Sequence, residues 1–141
     1  MMRVLLTVLA WFAGIILAMM GIGFFLWSQY GQEYVHAFKA AVEEGGQLGA
    51  GGSDGVCFEA TLGRVEACSS FKCNMLSRAF ARACFDSVAE KTDLCETVPS
   101  AFDIGHFLIW SANTCEQHAP DNGDCDQVLR EVVAYCSESS P

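Results

Sequence analysis

The stretch CFEATLGRVEACSSFKCNMLSRAFARAC, residues 57–84, decides the fold. Cys57 and Cys68 are eleven positions apart, and so are Cys73 and Cys84. Eleven helical steps come to about 1,100°, within roughly 20° of three full turns, so each pair lies on one face of one helix. Eleven residues of helix rise about 16 Å, well beyond the ~7 Å Cα limit of a disulfide, so each cysteine must find its partner on another element. Two antiparallel helices with cysteines at equal rungs then join Cys68 to Cys73 at the turn and Cys57 to Cys84 at the open end. Cys125 and Cys136 repeat the eleven-residue interval, and the same logic joins Cys115 to Cys125 and Cys95 to Cys136. Eight cysteines admit 105 connectivities, and this nested set is the one that rung spacing selects. The expected fold class is all-α: an N-terminal transmembrane helix followed by a small four-helix domain of two hairpins stapled by disulfides.

Upstream, the composition changes completely. From Val4 to Trp27 there are twenty-four residues without a charge. As a helix they would run about 36 Å, against a hydrocarbon core of about 30 Å. A cleaved signal peptide would have an apolar core of about 7–15 residues ending at a small-x-small site. Here Ser28, Gln29 and Tyr30 follow the run, so residues 1–30 read as an uncleaved signal-anchor. Arg3 precedes the span while Glu33, Glu43 and Glu44 follow it, which puts the N-terminus in the cytoplasm and the remainder outside. Within the span Ala10, Gly14, Ala18 and Gly21 form a small-residue stripe suited to close packing of another transmembrane helix. The commonness of Gly and Ala in spanning helices is the competing explanation. Trp27 and Tyr30 mark an interfacial aromatic belt.

Residues 31–44 keep a helical period, with Tyr34, Val35, Phe38, Ala41 and Val42 on one apolar face of a juxtamembrane helix. Six glycines between Gly45 and Gly55 read as a flexible linker, leaving residues 56–141 as the exported domain. Asp54 is the expected cap of a first helix over Val56–Cys68, and Ser69 and Ser70 make a turn into a second over Phe71–Glu90. Ser100 and Asp103 suggest a capping box for a third helix running to about Gln117 and burying Ile104, Phe107, Leu108 and Cys115. Its other side shows Phe102, His106, Trp110 and Asn113, less polar than a solvated face. Asp124 would cap a last helix with the stripe Cys125, Leu129, Val132 and Cys136, flanked by Val128 and Val133.

Over residues 57–84 alone, the spacing resembles the twin Cys-x9-Cys helical hairpins of the mitochondrial intermembrane space. The intervals here hold ten residues, the turn holds four, and the likeness implies shared geometry without a shared family.

Eight cysteines in so small a domain belong to an oxidising space. The absence of an ordinary Asn-x-Ser/Thr acceptor leans towards the bacterial periplasm, ahead of the mitochondrial intermembrane space or a secretory lumen. The formal charge of −9 makes nucleic acid and anionic lipid surfaces poor partners and suits a basic protein surface better, the alternative being that acidity simply keeps an exported domain soluble. No Cys-x-x-Cys, haem-attachment or zinc spacing occurs, and His36, His106 and His118 fall on three separate segments. No catalytic residues, no metal, no cofactor and no small-molecule substrate are expected. His106, Trp110 and Asn113, one turn apart on one helix, are candidate partner-binding residues, burial against the other hairpin being the alternative. Arg78 and Arg82, also one turn apart, could grip a carboxylate surface or be merely solvated. The expected function is that of a non-catalytic, single-pass membrane protein whose exported domain binds or braces a protein partner as an accessory subunit of a membrane complex. A thiol–disulfide redox protein and an inhibitor or immunity-type binder of an exported enzyme are the alternatives.

Overall fold

The computed structural model describes the backbone of residues 2–139; of these, the side chains of residues 2–10, Leu26, Gln29, Tyr30 and Ser139 lie outside the described residues. The chain divides into two compact units, Met1–Ala37 and Phe38–Pro141. The described residues form seven α-helices and no strand.

In the first unit, α1 (Met2–Leu26) gives way to one π-helical turn, Trp27–Gly31. The Trp27 ring lies so close to Gly31 that a Cβ there would sit 2.9 Å from it, so a larger residue would push the exposed ring aside. Ten large apolar side chains from Trp11 to Phe25 are each at least half exposed. Among the described residues, no helix is long and apolar enough to cross a membrane. The expected span begins at Val4, and its side chains as far as Ala10 lie outside the described residues.

The helix that follows, α2, occupies Gln32–Gly51, and here the structure corrects the sequence reading. The glycine-rich stretch expected as a linker from residue 45 is helical as far as Gly51. Its buried residues are Ala41, Gly45 and Gly49, four apart on one face, in place of the larger apolar residues expected to line the helix. A Cβ on Gly45 would collide with the Phe80 carbonyl, and one on Gly49 with the Cys84 carbonyl. Glycine therefore does not loosen this segment; it lets α2 lie directly on the backbone of the helix carrying Phe80 and Cys84, recovering in contact what it costs in chain entropy. The Ala89 N–H then closes the junction by donating to the carbonyls of Gly49 (3.1 Å) and Gly52 (3.3 Å).

The hairpin follows as α3 (Asp54–Glu66) and α4 (Phe71–Asp86). Ser53, not Asp54, caps α3, its Oγ accepting from the Val56 N–H. Asp54 lies one residue inside the helix and is buried, 1% exposed. Its Oδ1 accepts from the N–H of Gly55 (2.8 Å), the N–H of Thr92 (2.9 Å) and the Thr92 hydroxyl (2.5 Å), and its Oδ2 accepts from the Tyr135 hydroxyl (3.4 Å). Four donors make burial of this carboxylate tolerable and tie three segments together. Ser70 caps α4 as its position suggests. This helix ends at Asp86, four residues short of the expected Glu90, because the chain turns to meet the glycine carbonyls of α2.

A short helix α5 (Leu94–Thr97) leads to α6 (Ile104–His118) and α7 (Cys125–Ser139). The capping box does not form: Asp103 itself is the N-cap of α6, accepting from the His106 N–H (3.0 Å), while Ser100 accepts from the Phe102 N–H (3.4 Å). The Asp124 carboxylate takes side-chain amides of Asn74 (3.3 Å) and Gln127 (3.0 Å). At the same end Asn74 and Asn122 exchange amide hydrogen bonds (3.0 and 2.9 Å), and Asn122 also donates to the Val65 carbonyl (3.0 Å). These paired amides lock the α6–α7 loop onto the first hairpin. The centre of the core is α7, whose Cys125, Val128, Leu129, Val132, Val133 and Cys136 are all buried, packed with Leu62, Val65, Ala81, Cys84 and Phe85.

The four bridges are Cys57–Cys84, Cys68–Cys73, Cys95–Cys136 and Cys115–Cys125, with Cα separations of 5.7, 5.6, 5.2 and 5.9 Å. These are the pairs that the rung spacing selects, and no cysteine is free.

Candidate functional site

The helical position of each residue on α6 decides what it offers. Phe107 and Ser111 are its buried residues, and Trp110, Thr114 and Cys115 are half-buried. Ile104 and Leu108, expected in the core, are instead 69% and 55% exposed, and Ile109 is 63% exposed. Phe102, in the preceding turn, is 94% exposed. The physical reason is the Cys115–Cys125 bridge together with α7: a helix tied antiparallel to an already filled core can turn only a narrow strip inward, and α6 turns in the strip through Phe107 and Ser111. Ile104, Leu108 and Ile109 face outward.

Two grooves flank this exposed strip. One, of about 410 Å³, is lined by Glu96, Val98, Pro99, His106, Ile109, Trp110 and Asn113 among others. The three candidate partner-binding residues therefore border one groove. Trp110 forms its inner wall, stacked on Phe58 with ring centres 6.4 Å apart and tilted against Phe107 at 6.3 Å, and the exposed His106 Nδ1 is held 2.8 Å from Asp103 Oδ2. The other groove, of about 430 Å³, runs between α6 and α7 and is lined by Ala101, Ile104, Phe107, Leu108, Arg130, Val133 and Ala134. The Arg130 guanidinium stands 5.3 Å from the centre of the Phe107 ring and 4.0 Å from Asp126. Its charge is thereby partly occupied within the chain.

The two candidate arginines part company. Arg78 reaches across to α7, its Nε and Nη2 donating to Glu131 Oε1 at 3.0 and 2.8 Å, so it braces the hairpin and is not offered to a partner carboxylate. Arg82 is exposed, 4.0 Å from Asp86 one turn on. Of the small-residue stripe, Gly14 and Gly21 have nothing within 4 Å of a Cβ position, Ala18 is exposed, and the Ala10 side chain lies outside the described residues. Among the described residues no three His, Cys, Asp or Glu side chains gather as a metal site.

Sequence reasoning missed the exposure of Ile104, Leu108 and Ile109. The signal was present in α6, where Ile104, Phe107, Leu108, Ile109 and Trp110 cover more than half the helix circumference, wider than one core-facing stripe requires. Comparison of the chain with protein-family models, with curated proteins and with solved structures finds no match.

Proposed function

We propose that this chain is a non-catalytic, single-pass membrane-anchored protein whose disulfide-stapled domain binds or braces a protein partner as an accessory subunit of a membrane complex. The observation that carries this reading is the outer face of α6, where Ile104, Leu108 and Ile109 are exposed, with Phe102 exposed in the turn before it, on a scaffold held by four bridges. Four large apolar side chains exposed within eight residues of a small acidic domain are a liability unless something covers them. A rigid scaffold reduces the ordering cost of association.

The anchor is supported by the uncharged run from Val4 to Trp27 and by the exposure of its large side chains from Trp11 onward, since a helix apolar all round needs lipid or protein about it. Disulfide density supports an oxidising location on the far side of that membrane, the bacterial periplasm first. Purification of the full-length protein from its native membrane in mild detergent tests the reading: membrane proteins should accompany it, and Ile104→Glu with Leu108→Glu should release them. Isolation of the chain alone, under conditions that preserve other complexes of that membrane, would overturn it. Thiol titration separates the redox alternative, since a structural protein shows none and a resting reduced enzyme shows two.

A further inference from the structure

The segment of chain that carries the α6 face is more one-sided in charge than the chain as a whole. From Thr92 to Leu129 there are thirty-eight residues with no lysine or arginine, and they carry seven carboxylates: Asp93, Glu96, Asp103, Glu116, Asp121, Asp124 and Asp126. This segment contains every apolar side chain of the exposed strip. Glu116 lies on the exposed sector of α6, two turns beyond Leu108 and one beyond Ala112, and Glu96 lines the groove that holds His106 and Trp110. The nearest guanidinium, Arg130, is drawn towards Phe107 and Asp126.

From this arrangement we infer that the α6 face receives a basic amphipathic helix of a partner protein. The partner lays apolar side chains against Ile104, Leu108 and Ile109 and sets lysine or arginine side chains over Glu96 and Glu116. The inference rests on the partner-binding reading above and adds the chemistry of the partner. Carboxylates at Glu96, beside Ile109, and at Glu116 select lysine or arginine on the partner, while the guanidinium of Arg130, on the Ile104 and Leu108 side, lies over Phe107 and towards Asp126. A second copy of this chain would bring the same carboxylates against themselves, and an anionic lipid surface meets the same repulsion.

The test uses the full-length protein in nanodiscs of neutral phosphatidylcholine and two fluorescent synthetic helices, one of leucine and lysine, the other with the same leucine face and glutamate in place of lysine. The leucine–lysine helix should bind the native protein, weaken about tenfold against the Ile104→Glu, Leu108→Glu variant, and weaken by a smaller factor against Glu96→Gln, Glu116→Gln. Raising the salt from about 0.05 M to 0.3 M should weaken it as well. All four positions are exposed, and an unchanged melting temperature checks that the variants remain folded. Equal binding of the glutamate helix overturns the charge preference. Binding of the lysine helix that survives the Ile104→Glu, Leu108→Glu change assigns it to lipid or to another acidic region and overturns the site. A benzophenone at position 108 that labels phosphatidylcholine in preference to the helix also overturns it. If neither helix binds while the same double substitution still releases native partners, the docking face stands and the basic-helix chemistry falls.

Discussion

Helices α6 and α7 have fifteen residues each, are joined by the Cys115–Cys125 bridge, and spend their apolar side chains in opposite ways. In α7 the stripe from Cys125 to Cys136 points inward, and Val128, Leu129 and Val132 have no exposed surface at all. In α6 only Phe107 among the large aliphatic and phenyl side chains is buried, while Ile104, Leu108 and Ile109 face out. One helix completes the core; its neighbour closes one side of it and retains surplus apolar surface. A core that is already full cannot accept the other half of α6, and that surplus is what supports a binding role.

The comparison predicts unequal responses to the same kind of truncation. Leu129→Ala removes a side chain with no exposed surface and should cost about 2–5 kcal/mol in chemical denaturation, because a cavity is added to the lost burial. Next comes the staple at the open end of the first hairpin. Cys57→Ser with Cys84→Ser releases a bridge spanning 27 positions and should cost roughly 2–4 kcal/mol, clearly more than Cys68→Ser with Cys73→Ser, whose bridge spans 5. A larger loss of melting temperature from the inner double would break this ordering and give the short bridge a role beyond stapling. Gly49→Leu should cost about 1–3 kcal/mol, since its side chain must displace the α4 backbone at Cys84.

Smallest of all should be Leu108→Ala, within about 0.5 kcal/mol of the native protein. An effect the size of that at Leu129 would mean that α6 packs its other face inward, and the comparison between the two helices would fail.

The cysteine ladder made the hairpins legible because eleven is so close to a whole number of helical turns, and the stripe of α7 was legible because its period of three and four residues matches one narrow buried face. The cap at Ser70 was legible too, as a hydroxyl before an apolar run. Gly45 and Gly49 were not. Composition alone reads glycine as loss of helix, whereas Phe80 and Cys84, more than thirty positions away in sequence, supply the backbone contact that makes a missing Cβ an advantage. Asp54 was misplaced by one residue because the cap position and the first helical position favour the same side chains, and its role is set by Thr92 and Tyr135, distant in sequence. At the candidate site, the His106, Trp110 and Asn113 border was visible from helical spacing. The outward aim of Ile104 and Leu108 was not, since hydrophobic periodicity gives the presence of an apolar face without saying which of two such faces the core will take.

Site-specific photocrosslinking in native membranes tests the central claim most directly. A benzophenone side chain is placed at Leu108 on the outer face of α6, or at Gln127 on the exposed side of α7 as the control. The account predicts that position 108 yields a discrete protein adduct and position 127 does not, with the adduct lost when Ile104→Glu is added. Equal labelling at both positions, or no protein adduct at 108 under conditions where the chain is intact and fully bridged, would contradict the assignment of this face to a partner.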